Sequence, residues 1–201
     1  MNAEAKEIFR YYGGSHFHMA RDEVYEHYKS FNISKETENL WLEEMKQEFR
    51  RELIQKKNMS EIARVFAKYG DMVSLTSDVK GCYFMLDYIQ KNLKFLDSNT
   101  LERSINSLLD VVTELLKDEE RKSVIRLSIS MLKEMLIGTI TISDDYMENG
   151  MLPNYLTVDK IRNEIQRLIN YWEKVVQDFD AGDSEMDGNF FQRWKKIWKN
   201  R

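Results

Sequence analysis

Cysteine, proline and glycine are scarce in this chain of 201 residues. Cys82 is the single cysteine, so no disulfide can form within the chain, and we expect a reducing compartment. The chain also has one proline and eight glycines. Because proline inside a helix costs about 3 kcal/mol or more, its near absence favours several long, uninterrupted helices.

An excess of charge of one sign is also lacking. The chain has 30 lysines and arginines against 34 aspartates and glutamates, a formal net charge of −4. No global field therefore attracts nucleic acid, and we expect no nucleic-acid partner. Apolar residues make up 42% and charged residues 32%, a balance typical of a folded core with a charged surface.

Long hydrophobic runs are absent as well. The most apolar stretch, residues 124–142, is interrupted by Arg126, Lys133 and Glu134, which makes it too polar to cross a membrane. The first ten residues contain four charged side chains and no apolar segment of signal-peptide type. We expect a cytoplasmic protein with no transmembrane segment.

Motifs of common enzyme families are missing too. The sequence has no phosphate-binding glycine loop, dinucleotide fingerprint, Gly-x-Ser-x-Gly elbow or His-Glu-x-x-His pair. These absences leave enzymatic activity open but favour a non-enzymatic protein without a cofactor. We predict no catalytic residue.

Apolar residues recur at alternating steps of three and four along most of the chain, which is typical of helices and excludes strands. The longest such seam runs from Met72 to Leu96 and predicts one heptad helix, with Cys82 buried on it. Ser34 and Asn58 are predicted N-caps, and Gly70 is the predicted end of the helix that follows Asn58. Further helices are predicted over residues 2–12, 17–30, 35–57, 101–115, 125–136 and 158–179.

These seams predict an all-α protein, an antiparallel up-and-down bundle of long helices with additional short N-terminal helices and a short C-terminal amphipathic helix. We expect one bundle domain over residues 1–180, an acidic, glycine-containing hinge over 181–189 and a tail helix over 190–201. An α-solenoid is the second choice, because no repeat of fixed length is visible. A dimer formed through one heptad face is an open alternative.

All three histidines lie near the N-terminus among several tyrosines. His18 and Asp22, and likewise Glu23 and His27, are four residues apart and would share a helix face. Together with His16, these residues are the candidate site for a metal or small ligand, completed by carboxylates of other helices. The competing interpretation is that they make surface and half-buried polar contacts around a Gly-Gly turn.

The C-terminal segment 190–201 has the pattern of a basic amphipathic helix with aromatic anchors. It is predicted to dock on the bundle itself, to bind a groove of a partner or, as the weakest of the three, to touch an anionic membrane. Its candidate partner-binding residues are Phe190, Phe191, Trp194, Lys195, Ile197 and Trp198.

Two function hypotheses follow. The first is a non-enzymatic module that binds another protein or associates with itself, and the alternative is a metal- or small-ligand-binding helical bundle that uses the N-terminal Tyr/His cluster.

Overall fold

The computed structural model describes residues 3–148 and 156–181, with the side chains of residues 147 and 148 left out. Every regular element in these residues is an α-helix, and no strand occurs among them, which confirms the predicted all-α class. The helices are α1 (Ala3–Tyr11), α2 (His16–Arg21), α3 (Tyr25–Ser30), α4 (Lys35–Gln55), α5 (Met59–Leu75), α6 (Val79–Asn92), α7 (Ser98–Leu115), α8 (Asp118–Ile137), α9 (Asp145–Glu148) and α10 (Val158–Asp180).

Polar side chains define where five of the six long helices begin, α8 being the exception. Each accepts a hydrogen bond from a backbone N–H of the first turn, which has no partner inside the helix. Most of these capping residues lie only a few positions after the end of the preceding helix, and the connections between those helices are therefore short. The capping residues are Ser34 for α4, Asn58 for α5, Asp78 for α6, Asp97 for α7 and Thr157 for α10.

Consecutive long helices run in opposite directions. Ser98 at the start of α7 donates its N–H to the carbonyl of Thr141 beyond the end of α8, at 3.0 Å. Lys122 early in α8 forms an ion pair with Asp180 at the end of α10. The most extensive interface, however, joins α5 and α7, which are parallel because α6 returns the chain between them.

The helices enclose two hydrophobic clusters. The larger one is formed mainly by α5, α6, α7, α8 and α10. The smaller one, which we call the N-terminal core, joins α1–α3 to the first half of α4 through Phe9, Tyr28 and Trp41. Among the described residues, no helix is long and apolar enough to cross a membrane.

The single helix predicted over residues 17–30 is wrong, because the chain forms two short helices there. Ser15 caps α2 by accepting a hydrogen bond from the His18 amide. Between α2 and α3 the backbone of Glu23 takes a positive φ of 61°. Such a left-handed residue ends a helix, and for a residue with a Cβ it is stable only where packing imposes it.

The continuous helix predicted over 72–96 and the helix end predicted at Gly70 are also wrong. Gly70 is buried inside α5, where a Cβ would lie 3.1 Å from the Met85 methyl group, so glycine here permits close packing. The chain instead turns after Leu75, and Ser77 has a φ of 50°. A three-residue turn leaves the three-and-four spacing intact, and the seam therefore looks unbroken in the sequence.

Candidate functional site: an apolar cleft between α4 and α6

Two of the three histidines tie the N-terminal helices together. The His16 Nε2 atom lies 2.9 Å from Glu38 Oε1 on α4, and the Tyr28 hydroxyl donates to the same oxygen at 2.7 Å. His27 Nε2 lies 2.9 Å from Glu4 Oε1 on α1. The two histidines thus use different carboxylates.

Among the other candidate residues of this cluster, Asp22 has a partner next to it in the chain. The Arg21 guanidinium donates to the Asp22 carboxylate, and this hydrogen bond lowers the pKa of Asp22. His18 is exposed, and Glu23 forms the turn between α2 and α3. In residues 3–148 and 156–181, no three His, Cys, Asp or Glu side chains are grouped so as to hold a metal ion. Metal binding stays a prediction that these contacts do not support.

The predicted tail lies outside the described residues. This applies to the candidate partner-binding residues Phe190, Phe191, Trp194, Lys195, Ile197 and Trp198, and to the hinge beyond Ala181.

An open apolar cleft lies between the C-terminal part of α4 and the C-terminal half of α6. Its volume is about 450 Å³, within the range of roughly 300–1,000 Å³ that is usual for ligand sites. Two large apolar side chains at the cleft are exposed, Ile54 by 73% and Phe95 by 48%. The lining residues are Leu53, Ile54, Gln55, Lys56, Lys57, Phe84, Asp87, Tyr88, Lys91, Asn92 and Phe95.

A hydrogen bond joins the two walls of the cleft. The Tyr88 hydroxyl of α6 donates to the carbonyl of Leu53 at 3.2 Å, near the end of α4 where carbonyls lack helical partners. Within α6, the Asn92 amide group donates to the carbonyl of Tyr88 at 2.8 Å. The bond between Tyr88 and Leu53 links the end of α4 to α6 at the cleft.

Arg50 positions the aromatic end of the cleft. Its guanidinium carbon lies 5.0 Å from the centre of the Phe84 ring and 5.4 Å from that of Tyr69. Its Nε atom donates to the Tyr69 hydroxyl at 2.6 Å. Cation–π contacts of this kind contribute about 0.5–1 kcal/mol each at exposed sites, and here they hold the Phe84 ring in place.

The cleft is rimmed by three lysines and a single acidic residue. Lys56 forms an ion pair with Glu61, and Lys91 forms one with Asp87, each at 2.8 Å. Lys57 has no ion pair with any residue that the structure describes. An apolar floor with an unpaired ammonium at its edge suits a ligand that is both apolar and negatively charged.

Hydroxyl, thiol and imidazole groups are scarce in the lining of the cleft. The lining residues include no histidine, cysteine or hydroxyl nucleophile other than the Tyr88 phenol, which is engaged with Leu53. Burial raises the pKa of this phenol, so it stays neutral at physiological pH. Cys82, the one thiol, is buried elsewhere on α6, and burial raises its pKa to about 11.

Sequence reasoning missed this cleft. Ile54 is outside the apolar seam of α4 and precedes Lys56 and Lys57, which is the one local hint of an exposed apolar residue beside cations. Phe95 lies in the connection between α6 and α7. Only the packing of α4 against α6 brings these residues together.

A separate group of carboxylates lies on α7. Burial raises the pKa of Glu102 to about 7, the Glu164 carboxylate of α10 adds to this, and Arg103 and Arg167 oppose it. Burial and the neighbouring Asp71 raise the pKa of Asp110 to about 6. These groups have higher proton affinity in the folded chain than in the unfolded chain, where glutamate titrates near 4.3.

Replacing Glu102 with Gln is therefore expected to stabilise the protein at high pH only. Between pH 4.3 and 7 the folded state binds more protons than the unfolded state, so the free energy of unfolding falls as pH rises. We expect Glu102→Gln to raise it by about 1–2 kcal/mol at pH 8 and to leave it unchanged at pH 4. Urea denaturation at both pH values tests this, with the exposed Glu114→Gln on the same helix as the control. An equal gain at both pH values would contradict it.

Comparisons of the chain with protein-family models, with curated proteins and with solved structures found no match.

Proposed function

We propose that this protein is a non-enzymatic binding module whose cleft between α4 and α6 takes an acidic, amphipathic segment of another protein. The observation that carries the proposal is the combination of an exposed apolar pair, Ile54 and Phe95, with Lys57, which forms no ion pair with any described residue, at one cleft. Exposed apolar surface with a polar rim is typical of protein–protein interaction sites.

The shape of the cleft favours a peptide segment over a small molecule. The site is a trough open to solvent between two helices, and its exposed apolar residues project from different elements. A helical or extended segment presents apolar anchors at regular spacing and suits such a groove. Acidic residues next to the anchors would pair with Lys57 and compete for Lys56 and Lys91.

Removing the apolar character of the cleft is expected to abolish partner binding. The bait is the full chain, immobilised and incubated with lysate of the source cells at low and moderate salt. We expect Ile54→Asp to lose a protein that the unchanged chain retains, a reduction of at least tenfold. Burying a carboxylate against an apolar partner residue costs more than the corresponding 1.4 kcal/mol. Quantitative mass spectrometry of the retained proteins measures the effect.

The matched control is Ile137→Asp. Ile137 is 88% exposed and, like Ile54, lies at the C-terminal end of a helix, so both substitutions have similar intrinsic effects on their helices. Lys57→Glu is the second test, and it should weaken binding most at low salt. If all four baits retain the same proteins, the proposal is wrong. If the retained protein is the chain itself, the partner is a second copy.

A further inference from the structure

The chain leaves α10 beside the start of α8. Asp180, the last residue of α10, pairs with Arg126 at 2.8 Å and with Lys122 at 3.2 Å. The Arg121 guanidinium carbon lies 5.7 Å from the centre of the Phe179 ring. These contacts fix where the C-terminal segment begins.

The start of α8 is in turn next to α6, whose other half lines the cleft. The Tyr83 hydroxyl neighbours the Glu120 carboxylate of α8, and burial together with this carboxylate raises the pKa of Tyr83. Phe84 and Asp87, one residue and one turn beyond Tyr83, line the cleft. Contacts thus connect the end of α10 to α8, and α8 to the part of α6 that precedes the cleft.

The segment that follows α10 has the composition that the cleft requires. Residues 183–191 contain Asp183, Glu185 and Asp187, no lysine or arginine, and end in Phe190 and Phe191. Carboxylates followed by two aromatic anchors complement an apolar trough with a lysine rim.

Residues 181–186 can serve as the connection between α10 and the cleft. Fully extended, they span about 20 Å at roughly 3.3–3.6 Å per residue. The distance along α6 from Tyr83 to Lys91 is about 12 Å at 1.5 Å per residue. The connecting length therefore exceeds the part of the path that runs along α6 by about 8 Å.

We propose that the chain's own segment 183–191 enters the cleft between α4 and α6 in the free protein with its C-terminal end, so that Phe190 and Phe191 lie on the apolar floor and Asp187, the nearest of the three acidic residues, lies at the lysine rim. The partner segment then competes with an internal one, and binding requires displacement of the C-terminal segment. This inference rests on the proposed function only in taking the cleft as the binding site.

The basic residues further along the chain make the acidic segment the better occupant. Arg193, Lys195, Lys196, Lys199 and Arg201 all follow Phe191. In the cleft they would face Lys56, Lys57 and Lys91, and like charges in contact are unfavourable. The acidic part of the segment is thus the part that fits.

Disulfide trapping in the full chain tests the proposal. Ile54→Cys at the cleft is combined with Asn189→Cys in the segment, and oxidised glutathione is the oxidant. The native thiol of Cys82 is buried and has a raised pKa, so it reacts slowly. We expect an intramolecular disulfide between the two introduced cysteines to form at least tenfold faster than in the control pair Gln166→Cys and Asn189→Cys. Gln166 is exposed on α10, about 21 Å from Asp180 along the helix.

Charge exchange provides a second readout. We expect D183K/E185K/D187K to slow trapping several-fold, and K56E/K57E/K91E in the same chain to restore it, because the pairing is then reversed in sign. Mass spectrometry of non-reduced peptides identifies the linked residues and separates intramolecular from intermolecular products.

Equal trapping rates for the cleft and control pairs, or purely intermolecular products, would overturn the internal docking. Either result leaves the retention of a partner by the cleft as a separate question. Conversely, fast trapping combined with no Ile54-dependent partner in lysate would support the internal docking and contradict the proposed function.

Discussion

Replacing Asp78 with Ala is expected to lower the free energy of unfolding by about 2–3 kcal/mol, because the carboxylate is one of two that compensate the buried charge of Lys46 and it also caps α6. Lys46 is only 3% exposed, and its Nζ atom lies 3.0 Å from Asp78 Oδ2, 3.1 Å from Thr76 Oγ1 and 2.6 Å from Glu43 Oε1. Asp78 also caps α6 by accepting a hydrogen bond from the Gly81 amide. Loss of an N-cap alone costs about 1 kcal/mol. Urea denaturation at pH 7, followed by circular dichroism, measures the change.

The companion variant Lys46→Met distinguishes two effects of Asp78→Ala: poorer compensation of the buried Lys46 charge, and loss of the hydrogen bonds that Asp78 makes. It removes the buried ammonium itself, so we expect it to cost clearly less than Asp78→Ala. In the double variant the penalty of Asp78→Ala should shrink toward the cost of the lost cap. If Lys46→Met destabilises the protein more than Asp78→Ala does, the buried-charge argument fails.

The same residue predicts a dependence on pH. Burial raises the pKa of Asp78, but hydrogen bonds from the Gly81 amide and the Lys46 ammonium outweigh it, and the net shift is downward. The ionised form is therefore favoured in the folded state. This contribution is complete above the ordinary aspartate pKa near 3.9 and is lost as pH falls through the lower, folded value. The difference between the wild-type chain and Asp78→Ala should accordingly narrow below about pH 4.

Features that depend on neighbouring residues were predictable from the sequence. Ser34 and Asn58 cap α4 and α5 as predicted, because the capping hydrogen bond closes within four residues. The last long helix, predicted over 158–179, is observed as Val158–Asp180. Both ends agree to within one residue, because helical periodicity is visible in the sequence alone.

Features that depend on tertiary contacts were not predictable. Gly70 is a typical helix-ending residue, yet it lies inside α5 because Met85 and Val111 pack where a side chain would be. The apolar seam after Met72 looks continuous in the sequence although a turn interrupts the helix. Thr76, Ser77 and Asp78 form this turn, and the apolar residues on either side of it keep the alternating steps of three and four. The network of Lys46 with Asp78 joins residues 32 positions apart. No pattern among neighbouring residues of the sequence predicts a contact between residues so far apart in the chain.

The candidate site was missed for the same reason. The sequence favoured the histidines and the aromatic tail as candidate sites, because these residue types are rare in the chain and are grouped in short segments. The cleft consists of ordinary residues, and its interest comes from the exposure of Ile54 and Phe95, which depends on how α4 meets α6. Exposure of an apolar side chain is visible only once its neighbours are known.

Replacing Trp41 with Ala is expected to release α1–α3 from the bundle without unfolding it. Trp41 is 1% exposed, and its ring centre lies 5.5 Å from that of Phe9 on α1. Truncation of a buried tryptophan costs about 3–5 kcal/mol. Except for Met72 of α5, the buried residues of the N-terminal core come from α1–α4, so the loss should fall mainly on α1–α3. Hydrogen exchange followed by mass spectrometry should show loss of protection in residues 3–30 and retained protection in α5 and α7.

The control is Leu40→Ala, which removes a neighbouring apolar side chain that is 64% exposed. We expect it to change stability by no more than about 0.5 kcal/mol. Equal loss of protection in α1–α3 and in α5 and α7 of Trp41→Ala would show that the two clusters unfold together.

Ion pairs cannot hold the N-terminal helices in place once Trp41 is gone. Lys6 with Glu44, and Arg10 with Glu48, connect α1 to α4, but all four side chains are substantially exposed. Exposed pairs contribute about 0–1 kcal/mol each, less than the packing that is lost. High salt should therefore increase the local opening of Trp41→Ala only slightly, whereas a large increase would assign the attachment of α1 to charge and not to the aromatic contact with Phe9.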